Sequence, residues 1–115
     1  MQTNYSHDIV DDLLVINFDG DLIGEQSGPE LMEIINDRIN QNVLFAAIDI
    51  SDIRYINSSG IGVLITILTK FRNKGGEVIL VNPSEHVKKL LLITKLNAIF
   101  TIVDSIEEAR SAIKK

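Results

Sequence analysis

From Val43 to Ile50 the chain reads VLFAAIDI, apolar at every position but Asp49. A strand without polar alternation has no solvent face, so this one is expected to be buried on both faces of a sheet. Helical periodicity flanks it. Upstream, Ser27-Gly28-Pro29-Glu30 has the form of a helix start, and Leu31, Ile34, Ile35 and Ile39 recur at helical spacing until Asn40-Gln41-Asn42. Downstream, Ile53-Arg54-Tyr55-Ile56 leads to Asn57-Ser58-Ser59-Gly60. A second helix opens there, with Ile61, Leu64, Ile65 and Leu68 as its buried stripe and Gly75-Gly76 as its stop.

The remaining segments fit the same plan. Thr3 to Val10 reads as an edge strand, Asp11-Asp12 as a two-residue turn, and Leu13 to Phe18 as a strand with Leu14, Ile16 and Phe18 on one face. Asp19-Gly20-Asp21 is expected to end this hairpin. Glu77 to Val81 is a short strand, and Asn82-Pro83-Ser84 starts a third helix with Val87, Leu90, Leu91 and Thr94 on one face. Ile99 to Val103 is a last strand. Ser105-Ile106-Glu107-Glu108 has the Ser-x-x-Glu form of a capping box and opens a final helix with Ala109, Ala112 and Ile113 inward. The order β-β-α-β-α-β-α-β-α predicts an α/β fold: an N-terminal β-hairpin, then alternating strands and helices forming a mixed, mainly parallel sheet packed by helices. Right-handed crossovers are expected.

Length and charge narrow the function. The 115 residues suit one domain, residues 1–115. Eleven basic and sixteen acidic side chains give a net charge of −5, which argues against nucleic acid and against an anionic membrane surface. Without cysteine there is no thiol chemistry, and His7 and His86 are too far apart in sequence to suggest a metal site. The N-terminus does not have the form of a signal peptide, and the longest apolar stretch, Ile61 to Leu68, is far short of the ~20 residues that span a bilayer. The expected location is the cytoplasm, with no direct membrane insertion.

In open α/β sheets, function gathers beyond the carboxyl ends of the strands. Four loops stand there: Gly20-Asp21, Asn57-Ser58-Ser59-Gly60, Asn82-Pro83 and Asp104-Ser105. The second joins two hydroxyls and a glycine to a helix start, where free N–H groups and the helix dipole favour a phosphate. The same residues also read simply as an N-cap, and Gly60 and Gly62 as glycines that let the helix start pack closely on the sheet. A phosphate-binding P-loop, a dinucleotide fingerprint and a nucleophile elbow are all missing. Asp8, Asp11, Asp12, Asp19 and Asp21 read as solvated turn carboxylates, Lys88-Lys89 and Lys114-Lys115 as solvated helix faces, and Leu90-Leu91-Leu92 as core.

The stretch Leu44 to Val63, LFAAIDISDIRYINSSGIGV, together with Gly75-Gly76, Pro83, Val87 and Glu107-Glu108-Ala109, resembles the STAS domain. Within that family it is similar to the bacterial anti-sigma factor antagonists, over roughly Ile9 to Ala112. The resemblance implies a partner switch and not an enzyme, with no cofactor and no metal. The unphosphorylated form would bind an anti-sigma factor that is also a Ser/Thr kinase and so free the sigma factor. Phosphorylation of Ser58 would abolish binding, and a Ser/Thr phosphatase would reset it. Asn57, Ser59, Gly60 and Gly62 would shape the phosphosite loop and helix start. Val63 and Ile67, off the inward stripe, would extend the partner surface, with packing against a neighbouring helix as their alternative. Asp21 would join that partner surface and stand in for an acid usually found shortly after the first-strand glycine. Asn57 stands where the family has Asp, and Lys95 where it has the Gly that ends the third helix. The alternative within the same family is a non-switching interaction module, either a stress-signalling scaffold or an accessory subunit of a lipid transporter, with Ser58 only a helix cap.

Overall fold

The computed structural model describes residues 3–10, 12–22 and 28–113. Strands β1 (Thr3–Val10), β2 (Leu13–Leu22), β3 (Phe45–Ile56), β4 (Glu77–Val81) and β5 (Thr101–Val103) form one sheet in sequential order. β1 and β2 pair antiparallel as the expected hairpin, and every other pairing is parallel. The helices are α1 (Gly28–Asn40), α2 (Ser58–Arg72), α3 (Glu85–Ile93) and α4 (Ile106–Ile113), with a 3-10 turn at Leu96–Ala98.

Two apolar clusters hold these layers. On one face Leu14, Ile16, Phe18, Ile48 and Leu80 meet Leu31 and Ile35 of α1, Leu64, Ile67 and Phe71 of α2, and Val87 and Leu91 of α3. On the other, Leu13, Val15, Ala47, Ile79 and Val81 meet Ala109 of α4. The unbroken apolar run of β3 is thereby covered from both sides. The first residues of β2 are buried on both faces too, which its single stripe of Leu14, Ile16 and Phe18 did not predict, because Leu13 and Val15 join the cluster that includes Ala109 of α4.

Several boundaries differ from the sequence reading. Asp19-Gly20-Asp21 does not end β2. Register shifts on either side of Gly20, whose φ is 83°, let the strand bend and continue to Leu22, which is buried opposite Ile56. β3 likewise runs on to Ile56. The inward stripe of α2 is Leu64, Ile67, Leu68 and Phe71, while Ile61 is half-buried and Ile65 is exposed. β5 begins only at Thr101, because residues 96–98 coil into the 3-10 turn. Thr94 is the exposed C-cap of α3 and not part of its buried face. The Asp11 half of the hairpin turn, the Ser27 cap, and the side chains of Pro29 and Ile113 lie outside the described residues.

Candidate functional site

The parallel topology carries β2, β3 and β4 to one carboxyl edge, where α2 begins. Asn57 caps it: the backbone there is extended, and Oδ1 accepts a hydrogen bond from the Gly60 N–H at 2.8 Å. Asn57 is also anchored to the neighbouring strand, since its own N–H donates to the Leu22 carbonyl at 3.3 Å. Gly60 then passes directly over that carbonyl. A Cβ at position 60 would overlap Leu22 O and crowd the Ile56 side chain, so the helix start can sit here only with glycine. Gly62 differs, for a Cβ there meets nothing, and it plays no part in close packing.

With Asn57 as the cap, Ser58 and Ser59 are exposed residues of the first helical turn. The reading of Ser58 as the helix cap is thereby corrected. The amides of the first turn lie outside the helix ladder, and the first turn carries no acidic side chain, so the positive end of the dipole is not offset there.

Up to Thr69 the outward surface of α2 carries no charged side chain, and Lys70 and Arg72 follow only in the last turn. Ser59, Thr66 and Thr69 are exposed and Gly62 is half-exposed. Both threonine hydroxyls donate back to the helix, Thr66 to Gly62 O at 2.8 Å and Thr69 to Ile65 O at 2.9 Å. Val63 is half-buried at the margin and packs on the core, and Ile65 is 36% exposed. Ile67, expected to extend the partner surface, is fully buried. The apolar stripe of α2 is rotated relative to the expected one, because Ile67 and Phe71 share the face that packs on the sheet.

Asp21 is also not surface. It is 5% exposed, and Arg54 Nη2 stands 3.3 Å from its carboxylate with the arginine outermost. Sequence reasoning missed Arg54 and Tyr55 as features of this edge, although an Arg-Tyr pair between the buried Ile53 and Ile56 marks a strand end facing solvent. Asp49, at the end of the β3–β4 pairing, accepts the Ser51 hydroxyl at 2.6 Å and its amide at 3.0 Å. The other hairpin acids do not converge on a site: Asp8, Asp12 and Asp19 are exposed, and Asp11 lies outside the described residues.

Residues 4–109 match the model of the STAS domain. The chain belongs to the STAS domain family. A Thermotoga maritima protein described as an anti-sigma factor antagonist is 28% identical over 96% of this chain and 98% of its own length. The crystal structure of an anti-sigma factor antagonist from the same organism superposes with a TM-score of 0.85 at 28% identity, covering 96% of this chain and 95% of that one. The anti-sigma factor antagonist SpoIIAA in its unphosphorylated form, at 20% identity, shares the fold with a TM-score of 0.76 over 96% of this chain and 98% of its own. Its phosphorylated form gives the same TM-score. In this STAS domain no helix of the described residues is long and apolar enough to cross a membrane.

Proposed function

We propose that this STAS protein is an anti-sigma factor antagonist that works in the cytoplasm as a phosphorylation-controlled partner switch. Unphosphorylated, it binds an anti-sigma factor that is also a Ser/Thr kinase, and the sigma factor is released. The kinase then transfers the terminal phosphoryl group of ATP to the Ser58 hydroxyl oxygen, ADP leaves, and the complex dissociates. A Ser/Thr phosphatase hydrolyses the phosphate and restores the binding form. The protein contributes a surface and an acceptor hydroxyl, and catalyses nothing itself.

The observation that carries this reading is the division of labour between Asn57 and Ser58. Asn57 does the capping, so the Ser58 side chain is exposed and can be modified without loss of the cap. A phosphate on Ser58 adds about −1.5 to −2 charges at a helix N-terminus, where it is stabilised, so the domain keeps its fold. The change falls on the surface, since the uncharged face of Ser59, Gly62 and Thr66 would acquire a dianion at its end. A loss of 3–4 kcal/mol of partner binding corresponds to a few hundredfold in affinity, at ~1.4 kcal/mol per tenfold.

The test is a pull-down from lysate of the native organism with wild type and Ser58→Glu as baits, with ADP or ATP added. Capture of a small ATPase-type kinase by wild type and not by Ser58→Glu supports the switch. Capture of the same proteins by both, or of no kinase by either, overturns it in favour of a non-switching STAS interaction module.

A further inference from the structure

The two most exposed large apolar side chains of the described residues are neighbours at the end of α3, away from Ser58. Leu92 is 63% exposed and Ile93 77% exposed at the end of α3, and Ile99, just past the 3-10 turn, is 37% exposed. Leu90-Leu91-Leu92 reads as core in sequence, yet α3 lays Val87 and Leu91 on the sheet and turns Leu92 outward. Lysines share that outer face. Lys88 and Lys89 precede Leu92 and Ile93 by four residues each, which stacks each lysine beside an aliphatic side chain. Lys95 follows, exposed in a left-handed conformation with φ 62°. Two carboxylates are close. Glu85 lies 3.8 Å from Lys88, and Glu77 is engaged by Arg72, whose Nη2 also donates to Ile99 O at 2.6 Å.

α2 and α3 both start at the carboxyl edge of the parallel strands and end at the amino edge, so this patch and Ser58 occupy opposite edges of the sheet. The molecule extends 32 × 27 × 21 Å. At physiological ionic strength charges are screened over about 8 Å. The net charge of −5 is therefore a poor guide to what approaches the end of α3, and the local balance of Lys88, Lys89 and Lys95 against Glu85 decides it.

We propose that the end of α3 docks this protein on an anionic lipid surface, independently of the state of Ser58. Aliphatic tips with lysine stems one turn away suit a bilayer boundary, with Leu92 and Ile93 entering the acyl region and the ammonium groups held at headgroup level. The patch has neither the aromatic nor the free arginine anchors that dominate protein interfaces. A second copy of the same patch would bring lysines face to face.

Co-sedimentation with vesicles tests this, using phosphatidylglycerol mixed into phosphatidylcholine against phosphatidylcholine alone. Wild type is expected to sediment with the anionic vesicles only and to be released by about 0.5 M salt. Lys88→Ala with Lys89→Ala should weaken binding by about 25-fold, at about fivefold per lysine. Leu92→Ser with Ile93→Ser should weaken it by at least about tenfold. Ser58→Glu should leave it unchanged. Thermal melts matching wild type establish that the variants fold. No sedimentation at millimolar lipid, equal binding to neutral vesicles, or binding unaffected by the Leu92 and Ile93 changes overturns the proposal. Self-association that those same changes abolish also overturns it, and assigns the patch to a second copy of the chain.

Discussion

Replacing Gly60 by alanine adds one methyl group where α2 crosses the end of β2. On an open helix surface that change stabilises by up to about 1 kcal/mol. Here the methyl overlaps the Leu22 carbonyl oxygen and lies 3.0 Å from Ile56 Cγ1. The obstacle is backbone, and that backbone is held by the Asn57 N–H, so it cannot swing aside as a side chain would. Overpacking costs about 1–3 kcal/mol, and a fixed carbonyl puts this case near the upper end. The expected net loss is about 2 kcal/mol, or a melting point lowered by roughly 8 °C for a chain of 115 residues. Gly62→Ala, two residues on with open space around it, is the internal control and should gain about 1 kcal/mol. Thermal unfolding followed by circular dichroism measures both. A Gly60→Ala protein that melts at or above wild type, or a Gly62→Ala protein that falls equally far, would refute the close approach of α2 to Leu22.

Other expectations concern caps and ionisation. Asn57→Ala removes the acceptor for the Gly60 N–H and should cost about 1 kcal/mol, whereas Asn57→Asp keeps it and adds a charge favourable to the helix dipole, both read from denaturant midpoints. Lys95→Gly should stabilise by about 0.5–1 kcal/mol in the same assay, because a left-handed conformation strains a lysine and not a glycine. Burial, and then the Glu30 carboxylate, push the Tyr5 phenol above its ordinary range. The unfolded chain therefore ionises first. Stability should be level up to about pH 10 and fall as the pH rises further, and Tyr5→Phe should remove that part of the fall.

The fold was legible where burial is two-sided or periodic. The run Val43 to Ile50 read as an interior strand, and the stripe of α1 named its inward face, whereas that of α3 held for Val87 and Leu91 and failed at Thr94. What escaped was set by long-range pairing. Leu22 belongs to β2 only because β3 extends to Ile56 beside it and Gly20 takes up the bend, and nothing local to Asp19-Gly20-Asp21 signals this. The α2 stripe was misplaced because Ile61, Leu64, Ile65, Ile67 and Leu68 leave several apolar faces to choose from, and only packing selects Ile67 over Ile65. At the candidate site the serine pair and its glycine were visible in sequence. The inward turn of Asp21 under Arg54 depends on two strands meeting 33 residues apart, and so was not.

The central claim is that a phosphate on Ser58 switches partner binding without changing the fold. Once the kinase partner is captured, titration calorimetry of that kinase against the unphosphorylated and Ser58-phosphorylated proteins tests it most directly. The account predicts a few hundredfold weaker binding for the phosphorylated form, with matching circular dichroism spectra for the two. Equal affinities would contradict it.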